Sequence, residues 1–284
     1  MNYFAQAEQG GYWDAMQKKA AERDGVMLDV RQGGPGIQTI PQVAAGQADF
    51  GIGNADEILL ARKNGLPVVA VAAAYDTNLF AMLSHKDLDI SSFHDLNGHQ
   101  VSRRPAPYFD YLKATFALDK IEEINFTGSF ADFQRNHGLI QQGFVTGDVF
   151  KAKKEGIDIN VLSVAKDGGY NPYGLVLFTT EKTVQEKPDF VAAVVRASIQ
   201  GWENFLKDPS DAKAAVMAAN PDADEATFDF SATTIAQGGY LGSKVGAMKP
   251  ERWNVLRDQL VSVGLIPKDF DSGAAYTTEF LPKD

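Results

Sequence analysis

The stretch AGQADFGIGNADEILLARKNGLPVVAVAAAY, residues 45–75, decides the architecture. Phe50 to Ile52 is a short β-rich run, and Asn54 stands where a helix over Asp56 to Lys63 needs its N-cap. Val68 to Ala73 is wholly apolar, as a strand covered on both faces must be. Gly46 ends the preceding helix, because a left-handed residue costs least as glycine. Strand, helix and strand in this order make a βαβ unit and predict a mostly parallel sheet.

Upstream of this unit, strands are expected at Asn2 to Ala5 and Met27 to Arg31, with helices at Tyr12 to Ala21 and Ile37 to Ala45. The turn Gly33-Gly34-Pro35-Gly36 announces the second helix and leaves backbone N–H groups open at its start. Downstream, Leu79 to Leu83 is a strand, and a turn-rich stretch ending in Asp95-Leu96-Asn97-Gly98 opens a second series. Its strands are Gln100 to Arg103, Glu123 to Phe126, Ile140 to Val145 and Asn160 to Val164. Its helices are Tyr108 to Ala117, Ala131 to Asn136 and Asp148 to Lys154. Tyr170-Asn171-Pro172-Tyr173, followed by Gly174 to Thr179, is a return crossing. Beyond it the chain is helical, with long amphipathic runs at Pro188 to Leu206 and Pro250 to Val263. Two crossings predict two α/β lobes, 1–80 with 176–284 and 81–175, joined by a two-strand hinge across a cleft that closes on a ligand.

Composition narrows the chemistry. The 284 residues carry a formal charge of -10, so affinity for nucleic acid has no electrostatic basis. There is no cysteine, which removes thiol catalysis and thiolate metal sites. The longest apolar stretch, Pro67 to Ala74, falls far short of the roughly 20 residues of a spanning helix. No basic region with an apolar core precedes Asn2. Two expectations follow: a cytoplasmic protein, or an exported one in which Met1 replaces the leader.

Gly33-Gly34-Pro35-Gly36, the run Ala45-Gly46-Gln47-Ala48-Asp49-Phe50-Gly51-Ile52-Gly53 and the run Gly65-Leu66-Pro67-Val68-Val69-Ala70-Val71-Ala72-Ala73 together resemble the NMT1/ThiY and SsuA/TauA-like solute-binding proteins. The later segment through Thr180-Glu181-Lys182, Pro188, Arg196-Ala197, Gly201-Trp202 and Asp208-Pro209 is similar to that group's helix pair. The resemblance implies a type II periplasmic binding protein fold. It also implies a small-molecule solute, an ABC importer permease with its ATPase subunits as partners, a periplasmic or extracytoplasmic place, a monomer and no cofactor.

In open α/β sheets ligands bind beyond the carboxyl ends of strands, which directs attention to the loops there. The candidate ligand-binding residues are Gln6, Tyr12, Trp13, Asn54, Asp56, Tyr75, Arg104, Tyr108 and Asp148, with Tyr170, Asn171 and Tyr173 from the hinge. The aromatics suit a flat heteroaromatic solute. Trp13, at a helix start, suits a core as well as a site, and Asn54 and Asp56 can equally serve as helix caps. Of Arg103 and Arg104, strand alternation lets only one face the cleft, and Arg104 is chosen; there it could hold a carboxylate, sulfonate or phosphate. Asp148 lies where the pyrimidine-binding relatives carry an aromatic beside an acid, although here the run is Thr146-Gly147-Asp148-Val149-Phe150. His85, His94, His99 and His137 show no metal-ligand spacing, no Ser-His-Asp constellation can be placed, and the glycine turn lacks the Lys and Ser/Thr of a P-loop.

The leading expectation is therefore an importer's binding protein, not an enzyme, for a thiamine-precursor pyrimidine or a flavin-like ring. An anionic solute, alkylsulfonate or aromatic carboxylate, is the rival. The pyrimidine synthase that shares the NMT1 name depends on a cysteine-rich motif absent here, and a sensor domain of a transcription regulator would need a DNA-binding segment before Asn2.

Overall fold

The computed structural model describes residues 1–34, 37–127 and 129–282. Pro35 and Gly36 of the glycine turn and Gly128 of the Thr127 to Phe130 loop lie outside the described residues.

Among the described residues, eight strands form two sheets: β1 (Gly51–Gly53), β2 (Val68–Tyr75), β3 (Phe80–His85), β4 (Gln100–Arg103), β5 (Glu122–Asn125), β6 (Leu139–Phe144), β7 (Ile159–Ser163) and β8 (Gly174–Thr180). The helices are α1 (Gly10–Gln17), α2 (Thr39–Ala44), α3 (Ala55–Lys63), α4 (Pro107–Phe116), α5 (Ala131–Arg135), α6 (Gly147–Lys154), α7 (Glu181–Glu186), α8 (Pro188–Lys207), α9 (Ser210–Ala219), α10 (Glu225–Gln237) and α11 (Pro250–Ser262). No described helix is long and apolar enough to cross a membrane.

The smaller sheet has the order β1-β8-β2, with β8 antiparallel to both neighbours. This corrects the expectation of a mostly parallel sheet in the first lobe. β1 and β2 do run the same way, but the strand returning from the second lobe enters between them and pairs with both. The larger sheet, β5-β4-β6-β3-β7, is parallel over β5-β4-β6 and antiparallel where β3 meets β6 and β7. β2 and β3 are consecutive yet lie in different sheets, as do β7 and β8. These two sheet changes are the crossings, and the result is a two-lobed α/β fold with a cleft between the lobes.

Two strands expected near the N-terminus do not form. Asn2 to Ala5 bends instead, and Met27 to Arg31 has no strand pairing among the described residues. The Val30 amide donates instead to the thioether of Met16, at 3.3 Å. Alternation supplies a strand's side-chain pattern, whereas the strand itself requires a partner's hydrogen bonds.

One buried cluster joins β1, β2, β8, α1, α8, α9 and α10 around Trp13, Trp202 and Phe205. Another runs from α3 and β2 through Phe109 and Leu112 of α4 to Trp253, Leu256 and Leu260 of α11. The C-terminal helix therefore packs against both lobes on the hinge side and leaves the opposite side to open.

Candidate functional site

Between the sheets lies a cavity of about 410 Å³. The N-terminal segment supplies Asn2, Tyr3, Gln6, Glu8 and Gln9, and the first turn of α3 supplies Asp56 and Glu57, beside Asn54. Tyr75 and Asn78 come from the first crossing, and Phe80 from the start of β3. From the second lobe come Arg104, the end of β6 with Gln142 and Phe144, and one face of α6 with Asp148 and Lys151. The starts of α3, α4 and α6 all face this space, so their N-terminal N–H groups give it a positive lean.

The acids are held by these termini and by tyrosines. Glu57 accepts the Asn54 amide at 2.7 Å. Asp56 accepts the Glu57 amide at 2.9 Å and the Tyr170 hydroxyl at 3.0 Å. Burial, followed by the neighbouring charge of Glu57, raises the Asp56 carboxyl to about 7, against the bond from Tyr170. The raised value favours the protonated form, which, unlike the carboxylate, can donate as well as accept. Glu8, on the first lobe, accepts the Thr146 hydroxyl and the Gly147 amide of the second, while its main-chain carbonyl takes the Tyr75 hydroxyl at 2.9 Å.

Arg103 and Arg104 diverge as alternation requires. Arg103 pairs with Glu123 and lies over Phe109, away from the cleft. Arg104 lines the cavity, and its guanidinium lies 5.6 Å from the Tyr3 ring centre with no hydrogen bond or ion pair among the described residues. Its backbone amide binds Gln142 Oε1 at 2.9 Å, and the Tyr108 hydroxyl binds the same oxygen at 2.8 Å. With that oxygen occupied, Gln142 has its NH₂ left to offer. Lys151, by contrast, is matched by Asp148 at 3.0 Å.

Carboxamides are frequent in the polar lining: Asn2, Gln6, Gln9, Gln38, Asn54, Asn78 and Gln142. Asn2 Oδ1 and Gln9 Oε1 are buried without a partner among the described residues, and Gln9 is only 1% exposed. A buried acceptor left unpaired costs on the order of 1–3 kcal/mol, which a ligand donor would recover. The apolar wall is Phe80 and Phe144, with ring centres 5.3 Å apart at an interplanar angle of 25°, and Tyr108 backs it, 5.2 Å from Phe80 at 23°.

Of the residues expected from sequence, Gln6, Asn54, Asp56, Tyr75, Arg104 and Asp148 line this cavity. Tyr12, Trp13, Tyr108, Tyr170, Asn171 and Tyr173 do not. Tyr12 and Trp13 are core on α1; Tyr12 spends its hydroxyl on the Leu175 carbonyl at 2.7 Å. Tyr108 and Tyr170 are buried behind the wall and act through Gln142 and Asp56. Asn171 accepts the Asn78 amide, and the Tyr173 hydroxyl accepts the Lys249 amide, both in the hinge. Conversely, Tyr3, Glu8, Gln9, Glu57, Phe80, Gln142, Phe144 and Lys151 line the cavity without having been singled out. Period-two alternation along β6 from Ile140 marks Gln142 and Phe144, and Lys151 sits one helical turn from Asp148.

The chain is 22% identical over 300 residues to a riboflavin-binding protein, RibY, of Chloroflexus aurantiacus, covering 99% of this chain and 85% of the relative. A formylaminopyrimidine-binding protein of Halalkalibacterium halodurans is 23% identical over 181 residues, 61% of this chain and 55% of that one. Among solved structures, the alkanesulfonate-binding protein SsuA of Xanthomonas axonopodis pv. citri, bound to MOPS, superposes with a TM-score of 0.73 at 13% identity, over 95% of this chain and 94% of that one. The desulfurization enzyme DSZB gives 0.66 at 14% identity, over 95% and 94%. The NMT1/THI5-like family model matches residues 7–212, and with the two-lobed fold and the cavity between its sheets the chain belongs to the NMT1/THI5-like family.

Proposed function

We propose that this chain is the solute-binding component of an ABC importer, acting outside the cytoplasm, and that it takes a neutral heteroaromatic solute of pyrimidine or flavin type into the cleft. The observation that carries this reading is the pairing of a stacked aromatic wall with a ring of carboxamides, two of whose oxygens lack donors. Carboxamides donate and accept side by side, which matches the alternating N–H and C=O edge of a pyrimidine or an isoalloxazine. A sulfonate offers acceptors alone, so it can meet the NH₂ half of these carboxamides but not their carbonyl half. The names of the two curated relatives point the same way.

One feature favours an anionic solute instead: the Arg104 guanidinium, which has no acidic partner among the described residues. Calorimetric titration of the chain with riboflavin, a formylaminopyrimidine and an alkylsulfonate separates the two. Binding of either ring compound with no heat from the sulfonate supports the first reading; binding of the sulfonate alone replaces it with the second.

In this reading the protein holds and delivers its solute unchanged, as a monomer that docks on a permease with its ATPases. Mass spectrometry of the solute after prolonged incubation tests the absence of turnover. The lobes run over 1–80 with 176–284 and over 81–175, limits that sit beside the two sheet changes.

A further inference from the structure

We propose that the second lobe carries a transition-metal site, of the class that takes Zn²⁺, built from His85, Asp87 and His137. Sequence spacing predicts no metal here, because 52 positions separate the two histidines. The fold brings one ligand atom from each of the three residues within 4.8 Å of the others. His85 closes β3, five residues from Phe80, so the site lies about 17 Å along the strand from the cavity wall and is separate from it.

The anchor is His85, which is 3% exposed. Its ring is clasped between Phe133, at 4.5 Å, and His137, at 4.2 Å. Its Nε2 lies 2.7 Å from the Phe133 carbonyl, an acceptor, so that nitrogen carries the proton and Nδ1 keeps the lone pair. A ligating histidine is ordinarily oriented this way, with its far N–H on a backbone carbonyl. Nδ1 itself has no partner among the described residues.

His137 and Asp87 complete the set and are free to adjust, being 66% and 67% exposed, with His137 Nδ1 3.5 Å from Asp87 Oδ2. The nearby cations do not compete for Asp87. Lys86 turns to Asn160, and Arg135 to Asp132. A shared ion at about 2.0–2.2 Å from each ligand needs only a modest rotation of the two exposed side chains. Two imidazoles and one carboxylate favour Zn²⁺ over Mg²⁺ or Ca²⁺, which prefer oxygen alone.

Titration calorimetry of the full chain with ZnCl₂ at neutral pH, with MgCl₂ as comparison, tests this independently of any solute. One Zn²⁺ per chain and no Mg²⁺ response are expected. The double variant D87A/H137A, altered only at exposed positions and checked for native circular dichroism, is expected to lose at least tenfold in affinity, while H99A keeps it. Co²⁺ bound to the wild type should show visible bands of a tetrahedral nitrogen–oxygen site. No Zn²⁺ uptake by the wild type, or unchanged uptake by the double variant, overturns the proposal.

Discussion

Two cations line the cavity, and they differ in what surrounds them. Lys151 is neutralised by Asp148, whereas Arg104 has no ion pair among the described residues and lies against the face of Tyr3 in the field of Glu57. Arg104→Met therefore discriminates between solutes. A neutral ring loses at most a cation–π contact with the guanidinium, of order 0.5–1 kcal/mol and under about fivefold in affinity. A carboxylate or sulfonate loses a charge-assisted bond worth about 1.5–3 kcal/mol, tenfold or more. Titration of the variant with both solute types reads the difference directly, and equal losses would refute the assignment. Asp56 gives a second test. Its carboxyl is raised from the ordinary 3.8 to about 7, so between those values the folded chain binds more protons than the unfolded one. Stability then falls as pH rises through that window, by at most about 1.4 kcal/mol per pH unit for this group. Asp56→Asn should flatten the slope of denaturation midpoint against pH from 4 to 7, and an unchanged slope would place the proton elsewhere. Neither residue's surroundings are visible in sequence. Asp56 reads equally as a helix cap, and Tyr12, Tyr108 and Tyr170 stand at loop or helix-start positions where a ring can turn into a cleft or into the core. Only burial, set by distant elements, decides.

At the scale of elements, the crossing of α1 and α8 rests on absent side chains. A Cβ on Gly201 would lie 2.1 Å from the Gly11 carbonyl and 2.7 Å from the Ala15 Cβ. The backbones touch there, and Trp202 fills the remaining space under Tyr12 and Tyr75. Gly201→Ala should therefore destabilise the chain by about 1–3 kcal/mol, measured by urea denaturation, without touching the cavity. A neutral result would mean that the helices separate freely. Element positions were largely legible: the apolar run at Val68, the proline-led helices at Pro188 and Pro250 and the turn before Gln100 each carry their own local signal. Pairing was not legible. Nothing near β1 or β2 says that β8, some hundred residues later, enters between them and turns a parallel arrangement antiparallel. The same holds for Met27 to Arg31, whose alternation is sound but whose neighbours offer no ladder.

At the scale of the molecule, the lobes are fastened on both sides of the cavity. On the hinge side, Arg252 of α11 binds Asp76 and the carbonyls of Asp76 and Asn171, one from each crossing, and lies 4.4 Å from the Tyr173 ring centre. On the mouth side α6 meets α10 and the N-terminal segment: Glu8 binds Thr146 and Gly147, Lys154 pairs with Asp224 at 3.0 Å, and Phe150 stacks on Phe230 at 4.7 Å. The Lys154 pair is about half exposed and contributes little by itself. The stack and the Glu8 bonds tie the two lobes together across the mouth. Loosening them should leave the fold intact while shifting the population towards an open form, since the first lobe keeps its own buried cluster and the cluster that runs across the hinge side through α11 is untouched. We expect Phe150→Ala with Glu8→Gln to enlarge the radius of gyration in small-angle scattering and to raise the solute's dissociation rate by about tenfold, with bound solute restoring much of the compactness. The thermal midpoint should move by only a few degrees. A compact variant with an unaltered dissociation rate would show that closure is held at the hinge by Arg252 instead, and Arg252→Ala would then be the variant that opens.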